Sequence, residues 1–158
     1  MGIDEDLLLI GWNAMKIVLC THNKSFSAWF LRFAMWSKWS HSAIWDEERC
    51  VVYDSTFTHK GVRKWNDREW FERNPIYEIR PIDVPPERIG ESRNWLEAQL
   101  GKPYDWTALL GFISRRKWQE DDAWFCSEYS ETFRALFGTP RFRYGSWLIT
   151  PRHQDMIT

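Results

Sequence analysis

HSAIWD at 41–46, EER at 47–49 and CVVYDSTF at 50–57 decide the fold. Two runs rich in β-branched and aromatic residues flank a short polar turn, the pattern of a β-hairpin. Centring the turn between Glu47 and Glu48 makes paired positions sum to 95 and sets His41 opposite Asp54. Directly opposed side chains share a face with Cβ atoms about 4.5–5.5 Å apart, so an imidazole and a carboxylate are expected in contact. The register requires an even-numbered loop; an odd one breaks it.

Working outward, KIVLCT at 16–21 reads as a buried strand and IYEIRPI at 76–82 as another. Ser25 or Ser27 can cap an amphipathic helix through AWFLRFAMW, and NDREWFER beyond Gly61 reads as a helical turn. PPERIGESRNWLEAQLG reads as a helix with proline near its first turn and Gly101 at its end. DWTALLGFI at 105–113 reads as one more, followed by a charged loop at 115–122. In AWFCSEYSETFRALFG, 123–138, Phe125, Tyr129, Phe133 and Phe137 recur every four residues, which predicts a helix with Cys126 near its start. A short strand fits 146–150. Together these elements predict an α+β fold, a small antiparallel sheet packed against helices.

With 158 residues and 19.1 kDa, 15–158 is read as a single domain, and 1–14 as a flexible leader or a mis-called start before the strand after Met15. A net charge of -1 supplies no field for nucleic acid, so no nucleic-acid partner is expected. No stretch approaches the roughly 20 apolar residues of a membrane span. The first residues carry three acids and lack the basic region of a secretory signal, which points to the cytoplasm, as does the odd count of three cysteines. His22, His41, His59 and His153 are scattered without a ligand spacing, and there is no glycine-rich nucleotide fingerprint, so neither metal nor cofactor is expected.

Three residues propose chemistry. A helix start stabilises a thiolate, which makes Cys126 a candidate nucleophile; the alternative is a small buried hydrophobe. Cys20 and Cys50 are assigned to strands and to packing. His41 paired with Asp54 would be base and orienter, against the alternative of a surface pair. Twelve Trp, ten Phe and five Tyr make the chain rich in aromatics. Trp39 beside His41 and Trp124 beside Cys126 suggest the walls of a substrate groove for apolar or flat faces.

The order W-S-H-S-A-I at 39–44, V-Y-D-S at 52–55, G-K-P-Y-D at 101–105, F-C-S-E-Y at 125–129 and I-T-P at 149–151 resembles the circularly permuted papain-like proteins of the NlpC superfamily, in particular the YiiX-like branch. The resemblance runs over roughly residues 16–151 and implies a permuted papain-like fold in which the histidine strand precedes the cysteine helix. It implies a thiol hydrolase acting on a peptide or acyl substrate, with Cys126, His41 and Asp54 as the catalytic residues and Tyr104 near the cysteine, where it could hydrogen-bond substrate or oxyanion. Asp54 stands where the family often has glutamate, and Ala43 where glycine is common. Relatives cleave cell-wall peptide bonds and others handle lipid acyl groups, so the resemblance implies either a cell-wall amidase, phage-encoded or otherwise delivered, or an acyl-ester hydrolase or acyltransferase. A catalytically silent binding module and weak membrane-surface contact through the aromatic helix are the readings from other classes.

Overall fold

The computed structural model describes residues 14–21, 38–56, 58–105 and 123–140. The expected leader, the helix through 28–36, the bulk of the helix at 105–113, the charged loop at 115–122 and the strand at 146–150 lie outside the described residues.

Among the described residues five antiparallel strands form one sheet: β1 (Met15–Cys20), β2 (His41–Asp46), β3 (Val51–Thr56), β4 (Gly61–Asn66) and β5 (Tyr77–Ile82), in the spatial order β4-β3-β2-β1-β5. Three helices among the described residues accompany it: α1 (Asp67–Arg73), α2 (Ile89–Ala98), entered through a 3-10 turn at Pro86–Arg88, and α3 (Cys126–Phe137). This is an α+β fold. The sequence pattern did not reveal β4, because GVRKWN carries two charges; at the sheet edge Arg63 and Lys64 are exposed, as suits a strand with an unpaired side.

Alternation along the strands divides the apolar residues between two faces. On one, Met15, Ile17, Leu19, Ile44 and Tyr53 meet Leu96 of α2 and Tyr129, Phe133 and Phe137 of α3. Their four-residue spacing along α3 is the stripe expected from sequence. Trp95 extends this layer, lying nearly parallel to Tyr129 at 5.7 Å between ring centroids and near the edge of Trp124 at 5.9 Å. On the other face, Val18, Cys20, Ala43 and Val52 pack under Trp70 of α1. The sheet therefore lies between α1 and the pair α2 and α3.

The hairpin register differs from the expected one. Ile44 pairs with Tyr53, Trp45 with Val52 and Asp46 with Val51, so positions sum to 97. The reason is Cys50. Instead of opening the second strand it closes the turn in the left-handed region (φ 54), exposed, with its N–H donating to Glu47 O at 3.1 Å. That moves the turn centre by one residue and the register by two. A two-residue shift keeps every side chain on its face, whereas a one-residue shift would have turned Asp54 away from His41.

Candidate active site

His41 is the first residue of β2, and Cys126 is the first residue of α3. Phe125, extended at φ -79 and ψ 144, precedes the helix, whose first-turn N–H groups have no acceptor within it. Helix and strand are fastened together at this end: Ser42 Oγ lies 3.0 Å from Ser130 Oγ, and Ser130 also donates to the carbonyl of Cys126 at 3.2 Å. Two hydroxyls buried in an otherwise apolar layer satisfy each other and hold α3 against β2.

On the opposite face of β2, His41 Nε2 meets Asp54 Oδ1 at 2.5 Å. With Asp54 level with Ala43 rather than His41 in the register, the contact is diagonal, within reach of these side chains. The His41 ring also hydrogen-bonds the Cys126 side chain. Because Nε2 is turned to Asp54, Nδ1 is the ring nitrogen left for the thiol. The structure thus brings together Cys126, His41 and Asp54, three side chains that are 1%, 6% and 4% exposed.

Burial alone would push the imidazole toward its neutral form, but the Asp54 carboxylate and then the Cys126 side chain outweigh it and hold the pKa of His41 well above the ordinary value. Cys20 shows the opposite outcome. It is the cross-strand partner of His41 on the β1–β2 ladder, yet burial pushes its thiol up to about 12, and its sulfur contacts Asn74 Oδ1 at 3.7 Å. Two thiols flank one histidine, and Cys20 stays protonated.

Tyr104 is half-buried beside Phe125, with ring centroids 5.7 Å apart. Burial, then the nearby Cys126 and Asp54, raise its hydroxyl well above the ordinary tyrosine value, so it is a hydrogen-bond donor at neutral pH. Backbone placement explains why it is here. Residues 104 and 124 form a parallel bridge, with Trp124 N donating to Pro103 O at 3.0 Å and Asp105 N to Trp124 O at 3.3 Å. The same segment is tied to β4 by Val62 N to Lys102 O at 2.9 Å and Gly101 N to Val62 O at 3.0 Å. Gly61 allows this approach: at φ +140, a Cβ there would stand 2.1 Å from Lys102 O. Ser55 Oγ, donating to Trp124 O at 2.8 Å, holds the other side.

The two expected groove tryptophans have packing contacts. Trp39 is buried with the main cluster, under the Lys38 ammonium at 4.8 Å. Trp124 is half-buried, its indole N–H donating to Gln99 Oε1 at 3.1 Å.

Sequence reasoning missed Trp70, whose indole N–H donates to Asp54 Oδ2 at 2.8 Å. It gave no role to Glu128, buried in the first turn of α3, which it quoted only within F-C-S-E-Y. Burial, then the neighbouring Asp105 carboxylate, push Glu128 up to about 7, although it accepts the Phe125 backbone N–H. That last bond is half of a capping box, with glutamate at the third helical position. The E at 128, two residues after the helix start, was the available signal; no sequence signal located Trp70, because its partner is set by packing across α1 and β3.

Among the described residues no cluster of His, Cys, Asp or Glu could hold a metal, and no helix is long and apolar enough to cross a membrane. Cys20, Cys50 and Cys126 are free thiols. No protein-family model, no curated protein and no solved structure matches the chain.

Proposed function

We propose that the protein is a thiol hydrolase of permuted papain-like architecture that cleaves an amide through an acyl-enzyme on Cys126. The observation that carries the reading is the contact chain Cys126–His41–Asp54, assembled from a helix start and two strands. Partners at both ring nitrogens would satisfy any buried imidazole; what favours a base is that one partner is a thiol able to give a proton and the other an anion able to support the charged form.

The thiol gives its proton to His41 Nδ1, and Asp54 stabilises the imidazolium that results. The thiolate attacks the scissile carbonyl carbon, forming a C–S bond while the carbonyl π electrons move to oxygen. First-turn N–H groups of α3 and the Tyr104 hydroxyl are the donors on hand for that oxyanion. As the oxyanion collapses, the C–N bond breaks and His41 returns the proton to the leaving amine. Water then attacks the thioester, giving one proton to His41 as the C–S bond breaks, so that the acid is released and the thiolate re-formed. Of the two tryptophans, half-buried Trp124 beside Phe125 and Cys126 is the one this reading keeps as a substrate-side wall, Trp39 being part of the core, and a cell-wall peptide is the amide we favour.

The alternative on the same machinery is an acyl-ester hydrolase or acyltransferase. Wild type and Cys126→Ala are compared on muropeptides and on fatty-acyl esters. New amino groups from muropeptides, absent with the variant, support the amidase; fatty-acid release without muropeptide cleavage replaces it with the esterase. No turnover of either substrate, with Cys126 inert to acylation, leaves a binding module.

A further inference from the structure

We propose that Trp70 is a positioning residue of this site, its indole N–H selecting which protonation pattern of His41 the carboxylate at position 54 can support. The inference rests on the thiol-hydrolase reading and goes beyond it.

Asp54 presents two acceptor oxygens, and each meets a donor from a different element: His41 Nε2 at Oδ1 and Trp70 Nε1 at Oδ2. An indole N–H only donates and does not titrate in this range, so it is a fixed constraint on the group opposite. It fixes the plane of the carboxylate and favours its ionised form, since donors to a charged acceptor stabilise the charge.

Trp70 is itself held. It is 1% exposed, its ring meets Phe71 edge-on at 5.3 Å, and its carbonyl accepts the Asn74 side-chain amide at 2.9 Å. The same Asn74 touches Cys20, the strand partner of His41. Trp70 is thus the only residue of α1 that is buried, placed where α1 covers the histidine face of the sheet.

The consequence is specific. An asparagine at 54 has one acceptor and one donor end where His41 Nε2 and Trp70 Nε1 both present donors to the aspartate. With Trp70 present, the amide oxygen is drawn to the indole, and its NH2 faces His41 Nε2. A protonated Nε2 then meets a donor, so the imidazolium loses its support and the neutral ring is driven to the tautomer with Nδ1–H, which cannot take the thiol proton. Removing the indole N–H frees the amide to turn its oxygen to His41. Trp70→Phe should therefore harm the wild-type site and partly repair the Asp54→Asn site. Simple loss of packing cannot repair anything.

The test reads Cys126 directly through its rate of alkylation by iodoacetamide at pH 6.5, since only the thiolate reacts, with exposed Cys50 as the internal reference. Relative to wild type, Trp70→Phe is expected to slow Cys126 about tenfold and Asp54→Asn about a hundredfold, in line with the strength of charge-assisted bonds. Asp54→Asn with Trp70→Phe is expected to react roughly tenfold faster than Asp54→Asn alone, a coupling of opposite sign to the single effects. If the double variant is as slow as or slower than Asp54→Asn, Trp70 is structural and the inference falls while the hydrolase reading stands. If wild-type Cys126 reacts no faster than His41→Ala at this pH, the hydrolase reading falls, and this inference with it. Should phenylalanine at 70 prevent folding, 3-benzothienylalanine introduced there keeps the ring volume, replaces N–H with sulfur, and is read by the same rates.

Discussion

Ser42 and Ser130 join the strand that begins at His41 to the helix that begins at Cys126, hydroxyl to hydroxyl at 3.0 Å. The pair lies on the face of β2 away from the imidazole, so it fixes the spacing of base and nucleophile without touching either reacting atom. A buried pair of this kind costs most when half of it is removed. Ser130→Ala and Ser42→Ala should each destabilise the fold by about 1–3 kcal/mol in urea unfolding, and the double variant by less than the sum. Fully additive losses would mean that the two hydroxyls do not depend on one another.

His41→Ala should lower turnover by roughly 10²–10⁴-fold, the usual contribution of a positioned general base. Asp54→Ala should leave more activity than that, because the ring survives and loses only its orienting anion. Steady-state kinetics on the substrate identified by the muropeptide and ester comparison would measure both. Asp54→Ala as active as wild type would show that another group orients the ring.

Gly61 is the hinge on which Tyr104 reaches the site. A methyl group at 61 would meet Lys102 O at 2.1 Å, and backbone cannot yield there without moving the segment that carries Tyr104. Gly61→Ala should therefore reduce turnover more than it reduces stability, and Tyr104→Phe should reproduce the kinetic part. Loss of one oxyanion donor is worth about 10²–10³ in kcat at its largest. Unchanged turnover in Tyr104→Phe would leave the backbone N–H groups of α3 as the donors.

Much of this arrangement could be read in the amino-acid sequence because it is local. The KIVLC run, the hairpin, the aromatic stripe of α3 and the cysteine at its start all come from short-range patterns of polarity. Parity explains why the His41–Asp54 contact was legible even though the register was not: the turn centre depended on one φ at Cys50, but a shift of two positions preserved the face. What the sequence did not disclose is set at long range. β4 hid behind its charges, Trp70 and Asp54 are 16 positions apart on different elements, and Ser42 and Ser130 are 88 apart.

Glu128 gives a pH dependence of defined sign. Its folded-state pKa lies at about 7 against an ordinary 4.5, so the folded protein binds this proton more tightly than the unfolded chain does. The stabilisation is complete below pH 4.5 and is lost as pH rises to about 7, at most about 3 kcal/mol in all. His41, also raised, adds a loss of the same direction from its ordinary value of 6.5 upward. Glu128→Gln keeps an acceptor for the Phe125 N–H and carries no charge. Thermal melts should show it several degrees more stable than wild type at pH 8 and not at pH 4.5. Parallel pH curves for the two proteins would contradict the assignment.

The most direct test of the central claim is to look for the acyl-enzyme itself. Wild type, Cys126→Ala and His41→Ala are exposed briefly to p-nitrophenyl acetate at pH 7, quenched in acid, and mapped by peptide mass spectrometry. The account predicts one acetyl group on Cys126 in the wild type, none at that position in either variant, and no acetylation of buried Cys20. Acetylation confined to exposed Cys50, or equal modification of Cys126 with and without His41, would contradict it.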